Sequence, residues 1–105
     1  MNKNTFCKFS FNRQMSEIAG EVIRLLKRNK IIKDNNGYIG EDKVIKHLFE
    51  LMKDDPKNKD KMQLIEYAEN NYLAYMNDQC DAPTADQLIA FWTGYIEAYI
   101  DEVNI

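Results

Sequence analysis

Residues 84–103 read TADQLIAFWTGYIEAYIDEV and hold the chain's one tryptophan within its densest run of large apolar side chains. At about 100° per residue, Leu88, Ile89, Phe91, Trp92, Tyr95, Ile96, Tyr99, Ile100 and Val103 share one half of a helix, and Asp86, Ala90, Thr93, Gly94, Glu97 and Asp101 share the other. The pattern predicts a helix that other helices cover, with Trp92 at the hydrophobic centre. Thr84 followed three residues later by Gln87 fits a capping box and sets the start.

Working back along the chain, three more amphipathic stretches appear. Met15, Ile18, Val22, Leu25 and Leu26 predict a helix over about 13–29, with Ser10 or Asn12 as its cap. Val44, Ile45, Leu48, Phe49 and Met52 predict a second from about 41, after the turn signal DNNG at 34–37. Leu64, Ile65, Ala68, Tyr72, Tyr75 and Met76 predict a third over about 59–77, after a charged loop whose Pro56 disfavours helix at Asp55. The expected fold class is therefore all-α: a four-helix bundle-like single domain over 1–105 with a short extended N-terminal segment. That segment, 1–12, includes TFCKFSF, in which Cys7, Phe9 and Phe11 alternate with Lys8 and Ser10, so a short strand or extended arm is expected, with GYI at 37–39 as the other strand-like piece.

At 105 residues the chain can bury one core and not two. Apolar residues at 45% and charged residues at 30% describe a folded domain with a wet exterior. No segment has about 20 uncharged apolar residues and the N-terminus lacks an apolar run of signal-peptide type, so no membrane association and a cytoplasmic location are expected. Cys7 and Cys80 are then expected to be reduced.

The net charge of -3 hides a division. Residues 1–53 carry eleven Lys and Arg against six acids, and residues 54–105 carry three against eleven, with no basic residue after Lys61. Two functional surfaces follow. Arg24, Lys27, Arg28, Lys30 and Lys33, near the end of the first helix, form a cluster able to meet phosphates, as a DNA-binding accessory module would. The acids after Lys61 form a field able to attract a basic protein surface, or to occupy a nucleic-acid channel as an acidic inhibitor from a phage or mobile element would. The composition, rich in Lys, Asn and Ile, suits an AT-rich bacterial or phage genome.

Ala90, Gly94 and Ala98 add a groove of small residues to the polar half of the last helix, beside Asp86, Glu97 and Asp101. Glycine inside a helix costs near 1 kcal/mol against alanine, so a close contact at Gly94 is expected, from the TFCKFSF arm, a second copy of the chain in a homo-oligomer, or another protein. Chemistry-bearing motifs are missing. Aligning Gly37 with the sixth position of a calcium loop puts Ile32 first and Lys43 twelfth, which removes the first carboxylate and the bidentate Glu. His47 is the one histidine, too few for zinc, and Cys7 with His47 has no oxyanion site to complete a nucleophilic pair. The sequence thus predicts no catalytic residue, no cofactor and no metal, and a small interaction or regulatory protein working through protein contacts.

Overall fold

The computed structural model describes residues 2–34 and 42–104, with side chains described outside 29–34. Five α-helices follow in order: α1 (Lys3–Phe6), α2 (Phe11–Asp34), α3 (Lys43–Asp54), α4 (Met62–Met76) and α5 (Ala85–Val103), with a 3₁₀ turn over Pro56–Lys61 between α3 and α4. The fold is all-α, and no strand occurs among the described residues.

The N-terminal segment departs from the expected arm. Asn2 Oδ1 accepts from the Thr5 backbone N–H at 2.9 Å and caps one helical turn, after which Phe9 N–H donates to the Phe6 carbonyl and turns the chain into α2. The alternation of Cys7, Phe9 and Phe11 was misleading because Phe6, on the opposite parity, is the residue that enters the core with no exposed surface. A lone strand would leave its backbone groups unpaired; a turn satisfies them locally. The other strand-like piece, 37–39, lies outside the described residues.

Helix boundaries follow capping chemistry. Ser10 Oγ accepts from Arg13 N–H at 3.2 Å at the start of α2, and Asp42 Oδ1 accepts from Ile45 N–H at 3.0 Å at the start of α3. Thr84 and Gln87 form both halves of the expected capping box, at 2.9 and 3.1 Å. The predicted third helix starts later, because Asp55 caps the 3₁₀ turn through the Lys57 N–H and Pro56 occupies its first position. α2 runs beyond the predicted end to Asp34.

α2 and α5 make the most extensive pairing, and they are antiparallel: Phe11 meets Tyr95, Arg13 lies over Tyr99, and Ser10 Oγ and Asn12 Nδ2 donate to Glu102. Glu102 at the α2 N-terminus also opposes the positive pole of that helix. α3 and α4 are joined in the same sense by Phe49 with Tyr72 and by a 2.8 Å Lys53 to Glu69 ion pair. The centre of the core is shared differently from the expectation. α2 supplies Met15, Ile18, Ala19, Val22, Leu25 and Leu26, whereas α5 buries Leu88 and Trp92 fully and leaves Ile89, Phe91, Tyr95 and Ile96 packed at its edge. Trp92 has no exposed surface, with the Phe91, Phe49 and Tyr95 rings 5.3, 5.9 and 6.1 Å away. Val44 and Leu64, expected on the apolar stripes, are about half exposed, and Leu51 is buried instead.

A polar knot closes the end of the bundle where α1, α2 and the 3₁₀ turn meet. Gln14 and Asn58 are fully buried, and Asp55 is 5% exposed. Gln14 Nε2 donates to the Phe6 carbonyl and to Asp55 Oδ2, both at 2.9 Å, and Gln14 Oε1 accepts from Asn58 Nδ2 at 2.8 Å. Lys57 Nζ donates to the Cys7 carbonyl at 2.8 Å and pairs with Asp55. Burial favours the neutral form of Asp55, but hydrogen bonds from the Lys57 and Gln14 side chains and the Lys57 N–H outweigh it and hold the carboxyl below the usual carboxylate range. Because the folded state then binds its proton less readily than the unfolded chain, this stabilisation is complete above the unfolded value of about 4 and is lost progressively as pH falls from there through the lower folded value. Urea midpoints should therefore drop between mildly and strongly acidic pH, and Asp55→Asn should flatten that slope; an equal slope in the variant would assign the acid sensitivity elsewhere.

Candidate functional site

The outer surface of α5 presents the predicted partner-binding residues together. Asp86, Ala90, Gly94, Glu97 and Asp101 are exposed and Ala98 is half-buried. A Cβ built on Gly94 would meet nothing within 4 Å among the described residues, so none of them packs on this glycine. The TFCKFSF segment lies elsewhere, fixed by Phe6 in the core and by the Lys57 bond to Cys7. Glycine there is not required by any contact among the described residues.

The acids divide into two groups. Glu69 pairs with Lys53, and Glu102 accepts from Ser10 and Asn12, so these two belong to the fold. Glu66, Asp81, Asp86, Glu97 and Asp101 form no ion pair among the described residues, are exposed, and lie in the stretch after Lys61 that has no Lys or Arg. Their repulsion is relieved by solvent and salt, or by a cationic partner.

Next to this face runs a groove between α4 and α5. Tyr67, Asn71, Pro83, Gln87, Leu88 and Phe91 line about 290 Å³. Phe91 stands about 60° around the helix from Gly94, so the groove wall and the acidic face adjoin. Sequence reasoning missed it because Tyr67 was not part of the expected α4 stripe; it is 61% exposed, with its ring 6.1 Å from that of Phe91.

The predicted phosphate-contact cluster is less coherent. Arg24, Lys27 and Arg28 are exposed, while the side chains of Lys30 and Lys33 lie outside the described residues. On the same face of α2, Arg24 pairs with Glu21 at 3.2 Å and Arg13 approaches Glu17 at 3.9 Å. Alternating charge of this kind is what a solvated helix face carries. His47 is exposed, and Cys7 and Cys80 form no disulfide. No helix among the described residues is long and apolar enough to cross a membrane.

No family model matches the chain, and comparison with curated proteins and with solved structures finds no match. The class defined by fold and surface is thus a small all-α domain with an acidic, small-residue helix face.

Proposed function

We propose that this protein is a non-enzymatic interaction or regulatory protein that binds another protein through the outer face of α5. The observation that carries this reading is the coincidence of acids that form no ion pair among the described residues, Asp86, Glu97 and Asp101, with Ala90 and Gly94 on one exposed face, where no described residue packs on Gly94. Small side chains let a partner backbone approach closely, and the acids select a basic surface. A nucleic-acid-binding enzyme offers such a surface, which makes inhibition by occupying its channel the second reading; the mixed charges on α2 give less support to direct DNA binding.

Three variants separate folding from binding. Gly94→Ala should raise stability by about 0.5–1 kcal/mol, because nothing crowds the new methyl and helix propensity improves. Gly94→Leu should also fold, yet lose the partner in pull-downs from cell lysate, as should Asp86→Asn combined with Glu97→Gln and Asp101→Asn. Capture of the same protein by all variants at wild-type levels would refute the reading.

A further inference from the structure

We infer that the groove between α4 and α5 receives an amphipathic, Lys/Arg-rich helix of a partner protein, with one large apolar side chain seated between Tyr67 and Phe91. The inference rests on the reading of α5 as the binding face and adds the seat beside it.

Three features of the groove select this occupant. The first is apolar surface: Tyr67, 61% exposed, lines one side of the groove and Phe91 and Leu88 form the opposite wall, while Leu64, 50% exposed and three residues from Tyr67 on the same side of α4, extends the apolar surface beyond the lining. A volume of about 290 Å³ is at the lower limit of small-molecule pockets and suits a side chain better than an enclosed ligand. The second is charge. From residue 62 onward the chain has no Lys or Arg, and Glu66 and Asp86 stand next in sequence to the lining residues Tyr67 and Gln87, with Asp81 in the adjoining loop. Phosphates of nucleic acid and of anionic lipid are repelled by such a rim, and a cationic segment is attracted. The third is shape. A cleft flanked on one side by Ala90, Gly94 and Ala98 admits a helix backbone closely, and helices dock in such clefts through apolar anchors at i, i+3 or i+4 and i+7. A second copy fits poorly: its own α4 and α5 carry the same sign, and docking its basic α2 would give a head-to-tail contact with no closure.

The test uses the full chain and a fluorescein-labelled Leu/Lys peptide with Leu at i, i+4 and i+7, read by anisotropy. Two control peptides replace every Leu by Ala or every Lys by Glu. The Leu/Lys peptide should bind, more weakly as salt rises, and the Ala control should bind at least about tenfold more weakly. The Glu control should not bind. Tyr67→Ala and Leu64→Ser, both at exposed positions, should each weaken the Leu/Lys peptide while leaving the urea midpoint unchanged. Trp92 emission should shift on binding, since its ring is 5.3 Å from Phe91 in the groove wall. Equal binding of the Leu/Lys and Ala/Lys peptides, or wild-type binding by both groove variants, would overturn the groove while leaving the acidic face of α5 standing. Loss of binding in the groove variants, with none in the Asp86, Glu97 and Asp101 triple variant, would support the groove and defeat the acidic-face reading. No binding of the Leu/Lys peptide, alone or with a concentration-dependent doubling of mass abolished by Tyr67→Ala, would overturn the inference, the second result in favour of a second copy.

Discussion

Trp92→Ala should lower stability by about 3–5 kcal/mol, the range for emptying a large aromatic site in a packed core. The side chain has no exposed surface, and the surrounding Phe49, Phe91 and Tyr95 rings come from two helices, so the space cannot be refilled by one rotamer change. Against a total of about 5–15 kcal/mol for a domain of this size, such a loss leaves a substantial unfolded fraction near 37 °C. Circular dichroism is the appropriate probe, because the substitution removes the chain's one tryptophan. Trp92→Phe should behave quite differently. The indole Nε1 is buried with no hydrogen-bond partner among the described residues, so phenylalanine removes volume but also removes an unsatisfied donor, whose burial costs about 1–3 kcal/mol. The two effects oppose one another, and the phenylalanine variant should lie much nearer wild type than the alanine variant. Equal losses in both would mean that the indole nitrogen is satisfied in solution, and an alanine variant of near-normal stability would remove Trp92 from the centre of the core.

The same residue shows how far the sequence reveals the fold. Periodicity identified Trp92 and Leu88 on the inner face of α5 and every stripe residue of α2, because a 3.6-residue repeat is a property of one segment and needs no knowledge of its neighbours. The capping box at Thr84 was legible for the same reason. What periodicity cannot supply is how much of each stripe another helix covers. Ile100 and Val103 repeat correctly and remain exposed, and Val44 and Leu64 do likewise. Those residues depend on where α2, α3 and α4 end relative to α5. The acidic, small-residue face was legible as composition on a helical wheel; the groove beside it was not, since it exists only once α4 stands beside α5. Gln14 lies at the edge of the apolar arc of α2, about 20° beyond Leu25 on the wheel, and an amide at that border was a weak signal of a buried network. Its partners Asp55 and Asn58 sit in a charged loop, and nothing local marks them as buried.

That network leads to the second large effect. Gln14→Ala should cost about 2–4 kcal/mol, more than an ordinary core truncation of the same size, because it leaves buried groups without partners. Both hydrogens of Gln14 Nε2 are used, on the Phe6 carbonyl and Asp55, and both of Asn58 Nδ2 are used, on Gln14 Oε1 and the Met52 carbonyl at 3.1 Å. One amide therefore fastens the end of α1, the start of α2 and the turn after α3. Gln14→Glu isolates the electrostatic part. It sets a second carboxyl beside Asp55, whose oxygen is 2.9 Å from the Gln14 nitrogen, so the pair holds a proton more tightly than either group in the unfolded chain. A group whose folded affinity for protons is raised contributes stability at low pH and loses it as pH rises. Gln14→Glu should accordingly be least harmful, relative to wild type, near pH 4 and most harmful at neutral pH, opposite in sign to the wild-type contribution of Asp55. Gln14→Ala with Asn58→Ala should cost less than the two single losses combined, since each single variant already orphans the other's amide. Additive losses, together with a pH-independent penalty for Gln14→Glu, would show that the knot is packing alone.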